Sequence, residues 1–187
     1  MDSLRTRPRI IIVGSRGQLG VELQRSNAGF GPITAVDIDS VDLADEAQTR
    51  ALVRRVKPDV ILNAAAYTAV DRAESDVAVA MAINADAPRI LAEEASSLGA
   101  LIVHYSTDYV FNGEKVGDWV ETDEADPLNV YGASKLAGER AIQEVNDLHL
   151  IFRTSWVYGP HGKNFLLTML RLAAERDQLY IVNDQVG

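Results

Sequence analysis

Six short apolar runs, each far enough from the next to leave room for a helix, constrain this chain more than any other feature. Ile10-Ile11-Ile12-Val13 is continuous and stops at Gly14, the pattern of a strand buried on both faces of a parallel sheet. Runs at 33–36, 60–62, 101–103, 149–152 and 179–182 repeat it. Parallel neighbours need a crossover, and the intervening segments supply helical patterns. Asp45-Glu46-Ala47-Gln48 reads as a capping box, followed by Leu52, Val53 and Val56 on one stripe that ends before Pro58. Ala87, Ile90, Leu91, Ala95 and Leu98 form a second stripe, with Pro88 in a first turn or kink and Gly99 at its end. The expected fold class is α/β, a Rossmann-type doubly wound parallel sheet with its ligand at the carboxyl ends of the strands.

The expected layout is a flexible leader over residues 1–8 and a dinucleotide-binding unit over 9–187. With 187 residues, 47% of them hydrophobic, the chain is long enough for a sizeable core. A formal charge of −9 opposes nonspecific binding to nucleic acid or an anionic membrane, so a phosphate ligand needs a local positive pocket. The absence of cysteine excludes disulfides, thiol nucleophiles and iron–sulfur clusters. The apolar run after the arginine-containing leader spans only residues 10–13, too short for a signal peptide or membrane span. A soluble, cytoplasmic protein is expected. Residues 111–128 form one long acidic connection with Gly113, Gly117 and Pro127, either functional or a solvated insertion.

Gly14-Ser15-Arg16-Gly17-Gln18-Leu19-Gly20 joins the first run to a helix and turns backbone N–H groups toward the place a pyrophosphate would occupy. Asp37, after the second run, is placed to accept from an adenosine ribose and would repel a 2′-phosphate. Arg16 offsets that repulsion, so the pair predicts tolerance of both NADH and NADPH. Asp42 and Leu43 follow, and Ala64-Ala65-Ala66 after the third run is small enough for close approach, although alanines also suit plain packing.

Tyr131 and Lys135 lie four apart on a predicted helix and so share a face. Near Ser106-Thr107-Asp108, they suggest a phenol that protonates a carbonyl oxygen. Thr107 would orient that oxygen, and the Lys135 ammonium would lower the phenol's pKa. His104, His149 and His161 have no metal-like spacing and read as structural or, for His161, as part of a solvated loop.

Further stretches carry a resemblance. These are Asn63-Ala64-Ala65-Ala66-Tyr67-Thr68-Ala69-Val70-Asp71, His104-Tyr105-Ser106-Thr107-Asp108-Tyr109-Val110-Phe111, Pro127-Leu128-Asn129-Val130-Tyr131-Gly132, Ser134-Lys135-Leu136-Ala137-Gly138-Glu139 and Phe152-Arg153-Thr154-Ser155-Trp156-Val157-Tyr158. With the glycine turn, they resemble the extended short-chain dehydrogenase/reductases and, within them, the dTDP-4-dehydrorhamnose reductases. The resemblance implies NAD(P)H-dependent reduction of the C4 keto group of dTDP-4-dehydro-L-rhamnose to dTDP-L-rhamnose, a precursor of cell-surface polysaccharide.

By position, the resemblance puts the catalytic roles on Thr107, Tyr131 and Lys135. Cofactor contacts fall on Gly14, Arg16, Gly17, Gln18, Leu19, Gly20, Asp37, Asp42, Leu43, Ala64, Ala65, Ala66, Tyr105, Tyr131 and Lys135, and sugar contacts on Thr107, Asp108 and Trp156. For Trp156 a core aromatic is an equal alternative. Some family members dimerise through magnesium, and Glu22 matches one ligand. The others would lie beyond Gly187, so a homodimer is compatible and no metal site is assigned. Most of the family's smaller substrate-binding region is expected to be missing from this chain. Two other readings share these features, a non-catalytic nucleotide-binding regulatory subunit and a nucleotide-sugar epimerase or dehydratase.

Overall fold

The structure, a computed structural model, describes residues 7–182. Five strands, β1 (Ile10–Val13), β2 (Ile33–Val36), β3 (Val60–Asn63), β4 (Leu101–Thr107) and β5 (His149–Thr154), pair in the order β2-β1-β3-β4-β5. Every pair is parallel. The helices are α1 (Gln18–Asn27), α2 (Glu46–Val56), α3 (Val70–Ala73), α4 (Val77–Met81), α5 (Ala87–Leu98), α6 (Val130–Val145) and α7 (Phe165–Glu175). A π-helical turn, Ala82–Asp86, leads directly into α5. The sheet is the expected Rossmann-type doubly wound one. Its winding reverses between β1 and β3, which opens a crevice at their carboxyl ends.

The β-branched run of β1 explains why the sheet is covered on both sides. Ile11 and Val13 pack with Leu52 and Val53 of α2, Leu91 and Ala95 of α5 and Ile142 of α6. Ile10 and Ile12 face the opposite way, toward Leu62, Val103 and, from α1, Leu23. Asp45 caps α2 by accepting from the Gln48 amide N–H at 3.1 Å and its side-chain Nε2 at 2.8 Å. The return half of the capping box is absent, because Gln48 Oε1 takes the N–H of Asp42 instead. Gly99 ends α5 in the left-handed region at φ +64°, which an L side chain adopts only at a cost. Arg50 and Arg54 of α2 both reach Glu94 of α5, at 2.9 and 2.6 Å. The Arg54 hydrogen bond holds that carboxyl below the usual range.

The expected strand at 179–182 does not form. Tyr180 is 90% exposed, Ile181 and Val182 are also exposed, and among the described residues β5 ends the sheet, paired only with β4. An apolar run becomes a strand only where an edge pairs with it and a layer covers it. Phe165, Leu166 and Leu170 of α7 are exposed, as are Leu148, Leu150 and Phe152. The connection 111–128 carries no helix or strand, and Phe111 stacks on Trp119 with ring centroids 4.2 Å apart. No described helix is long and apolar enough to cross a membrane.

Candidate active site

The glycine turn is built by steric necessity. Gly14 has φ +76°, and a Cβ there would lie 2.7 Å from the backbone N of Ala65. At Gly20 a Cβ would sit 2.1 Å from the carbonyl oxygen of Gly14, so α1 can start this close to β1 only without a side chain. Gly14 N–H and Ser15 N–H both donate to Val36 O, binding the turn to the end of β2. The result is a cleft of about 290 Å³ at the β1/β3 reversal.

Seven of the expected cofactor residues line this cleft: Gly14, Gly17, Asp37, Leu43, Ala64, Ala65 and Ala66. Arg16, Gln18, Leu19, Gly20, Asp42 and Tyr105 are not among its walls. Gln18 is instead tied to a later loop, its Oε1 accepting from Asn164 Nδ2 at 2.7 Å. The Arg16 guanidinium pairs with Asp39. Asp37 accepts from the backbone N–H groups of Arg16 at 2.8 Å and Ile38 at 2.9 Å, so its carboxylate organises the turn itself. Val41, Tyr67 and Ile83 also wall the cleft. Val41 lies between β2 and α2, Tyr67 in the Asn63–Asp71 stretch after β3, and Ile83 in the π-helical turn before α5. The small-residue cradle and the N-terminus of α1 suit an anionic dinucleotide.

The second half of the site hangs on α6. Asn129 caps it by accepting from Gly132 N–H at 2.8 Å. A Cβ on Gly132 would fall 2.1 Å from the Tyr109 carbonyl oxygen, so this glycine lets the first turn of α6 press against the residues after β4. Tyr131 is thereby brought to Thr107, and its ring packs edge-on to Tyr109 at 5.6 Å.

The pKa expected for Tyr131 must be corrected. Burial raises it above the ordinary phenol value, the Thr107 hydroxyl opposes that rise, and the Asp108 carboxylate adds to it. Lys135 does not lower it, because its own amino group is engaged elsewhere. Lys135 is 1% exposed, donates to Tyr105 O at 2.8 Å and lies 3.1 Å from His104 Nε2. Burial pushes Lys135 down to about 8. His104, read from the sequence as structural, therefore touches a residue of the catalytic set. The strand pattern around it registers only its burial.

Asp108 and Trp156 lie together on a second, wider groove with Tyr109, Phe111, Trp119 and Arg153. Trp156 is 56% exposed with φ +52°, so it is not a core aromatic. Arg153, itself partly exposed, forms an ion pair at 2.7 Å with the buried Glu139 and sits over the Phe111 ring. Among the described residues no three His, Asp or Glu side chains gather as a metal site requires. Glu22 is held by Arg25 at 2.7 Å, and nothing here supports magnesium.

Residues 8–187 match the family described as the RmlD substrate binding domain. The chain is 50% identical over 182 residues to the dTDP-4-dehydrorhamnose reductase of Escherichia coli K12, an alignment covering 95% of this chain and 61% of that protein. It thus spans about three fifths of the length of the curated relatives it matches. A crystal structure of the Bacillus anthracis dTDP-4-dehydrorhamnose reductase in complex with NADP superposes with a TM-score of 0.90 at 40% identity, covering 93% of this chain and 62% of that one. The Clostridium acetobutylicum dTDP-4-dehydrorhamnose reductase superposes at 0.92 and 41% identity, covering 96% and 64%. Matched by the family model over residues 8–187 and sharing its fold with these relatives, the chain belongs to the RmlD substrate-binding-domain family.

Proposed function

We propose that residues 9–187 form the cofactor-binding and proton-donating part of a cytoplasmic NAD(P)H-dependent reductase. Its substrate would be the C4 keto group of dTDP-4-dehydro-L-rhamnose, and its product dTDP-L-rhamnose. The observation that carries this reading is the meeting of Tyr131 and Thr107 at the end of β4, on the edge of the sheet where the glycine cradle opens. The E. coli and B. anthracis relatives, one named for this activity and the other also holding NADP, support it.

Gly14, Gly17 and the alanine wall would hold the dinucleotide, with Asp37 at the adenosine ribose. A nicotinamide bound there supplies the hydride. Tyr131, kept protonated near neutral pH by its burial, donates its O–H proton to the carbonyl oxygen, which leaves as an alcohol. Thr107 orients that oxygen, while its own Oγ1 is held by the Tyr109 N–H and by Asp108, both at 3.2 Å. Asp108, Arg153 and Trp156 on the adjoining groove would contact the sugar nucleotide, with Arg153 as its cation.

The chain as it stands is expected to bind NADPH, quenching or shifting its fluorescence on titration, yet to reduce the sugar nucleotide far more slowly than a chain of the relatives' full length. Productive positioning can be worth about 7–11 kcal/mol, and this chain spans about three fifths of the relatives' length. Equal turnover by the two chains would show that the whole site is already present.

Asp37→Ala is expected to weaken both cofactors somewhat, since it frees the Arg16 and Ile38 N–H groups. It should weaken NADH more, moving the ratio of dissociation constants toward NADPH by about tenfold or more. Fluorescence titration of both cofactors checks this, and an unchanged ratio would mean that the carboxylate does not face the ribose.

A further inference from the structure

Asn63, His104 and Lys135 form a buried line of hydrogen-bonding groups running from β3 through β4 to α6. Asn63 Nδ2 lies 3.1 Å from His104 Nδ1, and His104 Nε2 lies 3.1 Å from Lys135 Nζ. All three side chains are essentially inaccessible to solvent. Buried polar groups must pair donor to acceptor, so the line has few consistent proton arrangements.

The arrangement is set from its far end. Asn63 Oδ1 accepts the Ala65 backbone N–H at 3.2 Å, which leaves the Asn63 amide NH₂ facing the imidazole. His104 Nδ1 must then be the unprotonated nitrogen. A neutral imidazole in that state carries its hydrogen on Nε2 and donates it toward Lys135 Nζ. Only the uncharged amine of Lys135 has a lone pair to accept it. An ammonium would set N–H against N–H. To avoid that, the imidazole would have to switch tautomer and the Asn63 amide would have to turn over, releasing the Ala65 N–H.

We propose that His104, held in its Nε2–H tautomer by Asn63, is a positioning residue that fixes the Lys135 amine and favours its uncharged form. Other groups near Lys135 do not account for such a bias. The Tyr105 carbonyl accepts from Nζ in either state, and Glu139, one turn along α6, favours the ammonium. Glu139 is itself neutralised by Arg153. Burial acts in the same direction as the tautomer on both partners, pushing Lys135 down to about 8 and His104 well below its ordinary value.

Two consequences follow from this coupling. The charge of Lys135, one helical turn from Tyr131, follows the His104 tautomer, so the pH dependence of turnover follows it too. The Lys135 proton is also linked to the Ala65 N–H, on the wall of the cleft opposite Gly14. The first consequence rests on the reductase reading; the tautomer and the state of Lys135 do not.

The test is NMR on this chain without substrate. Long-range ¹⁵N–¹H correlation of its three histidines reports the tautomer of His104, and lysine labelled at ¹³Cε reports the titration of Lys135. The expected result is an Nε2–H imidazole above the Lys135 midpoint. In His104→Gln that midpoint should rise by about one pH unit, tenfold in the dissociation constant, because the amide can turn its oxygen to an ammonium. An Nδ1–H tautomer, an imidazolium, or an unmoved midpoint in a folded His104→Gln overturns the proposal. If that variant does not fold, the wild-type tautomer decides alone. In a full-length enzyme the basic limb of kcat should follow the midpoint; a limb that stays put while the midpoint moves would count against the reductase assignment of Lys135 and leave the tautomer intact.

Discussion

Tyr131→Phe is expected to lower turnover of the 4-keto sugar nucleotide by about 10²–10⁴, the usual worth of a positioned general acid. The assay belongs in a chain of the curated relatives' length. Dissociation constants for NADPH should change little, because the phenyl ring keeps the packing against Tyr109 and removes only the hydroxyl. The structure sharpens the reason. Burial and the neighbouring Asp108 hold the phenol above its ordinary pKa, so at neutral pH it carries the proton that the reduction consumes. No other acid is placed as well. Asp108 accepts from the Thr107 hydroxyl at 3.2 Å. Lys135 is turned toward His104 and the Tyr105 carbonyl. A variant that kept half its turnover would remove Tyr131 from the role.

Gly20→Ala is expected to be among the most damaging single-methyl changes in the molecule. The added Cβ would lie 2.1 Å from the Gly14 carbonyl oxygen and 2.8 Å from Ser15 Cα, both backbone atoms pinned to the end of β2. Overpacking of side chains typically costs about 1–3 kcal/mol, and here the obstruction is main chain that cannot rotate away. α1 must move off β1, which opens the cradle that Gly14 and Gly17 form. Urea denaturation should show a loss of about 3 kcal/mol or more, with NADPH affinity reduced in parallel. Gly29→Ala is the control: its Cβ meets nothing within 4 Å and its φ is ordinary, so stability should change by less than about 1 kcal/mol. Equal effects from the two substitutions would mean that the close approach of α1 to β1 is not what Gly20 provides.

The parallel sheet was legible because its signal is local. A β-branched run between a loop and a glycine, repeated at crossover spacing, leaves few alternatives, and the caps at Asp45 and Gly99 stand where the letters put them. The glycine turn, the alanine wall and the Tyr131–Lys135 spacing were legible for the same reason, as each lies within a few residues of sequence. What stayed hidden depends on partners distant in the chain. Residues 179–182 have the apolar character of a strand, but no neighbour pairs with them or covers them, and character alone does not make hydrogen bonds. Arg16 sits in the cofactor turn yet its charge goes to Asp39.

The sequence by itself determined the alternation of the first five strands with helices, the cradle and the candidate proton donor, because propensity, periodicity and glycine placement act over single turns. Only the tertiary structure decided the protonation of the site. Burial of Tyr131 raises a pKa that a nearby lysine was expected to lower, and a histidine 31 residues from Lys135 in sequence lies 3.1 Å from it in space. Desolvation and hydrogen-bond polarity depend on everything that surrounds a group, and that surrounding exists only once the chain has folded.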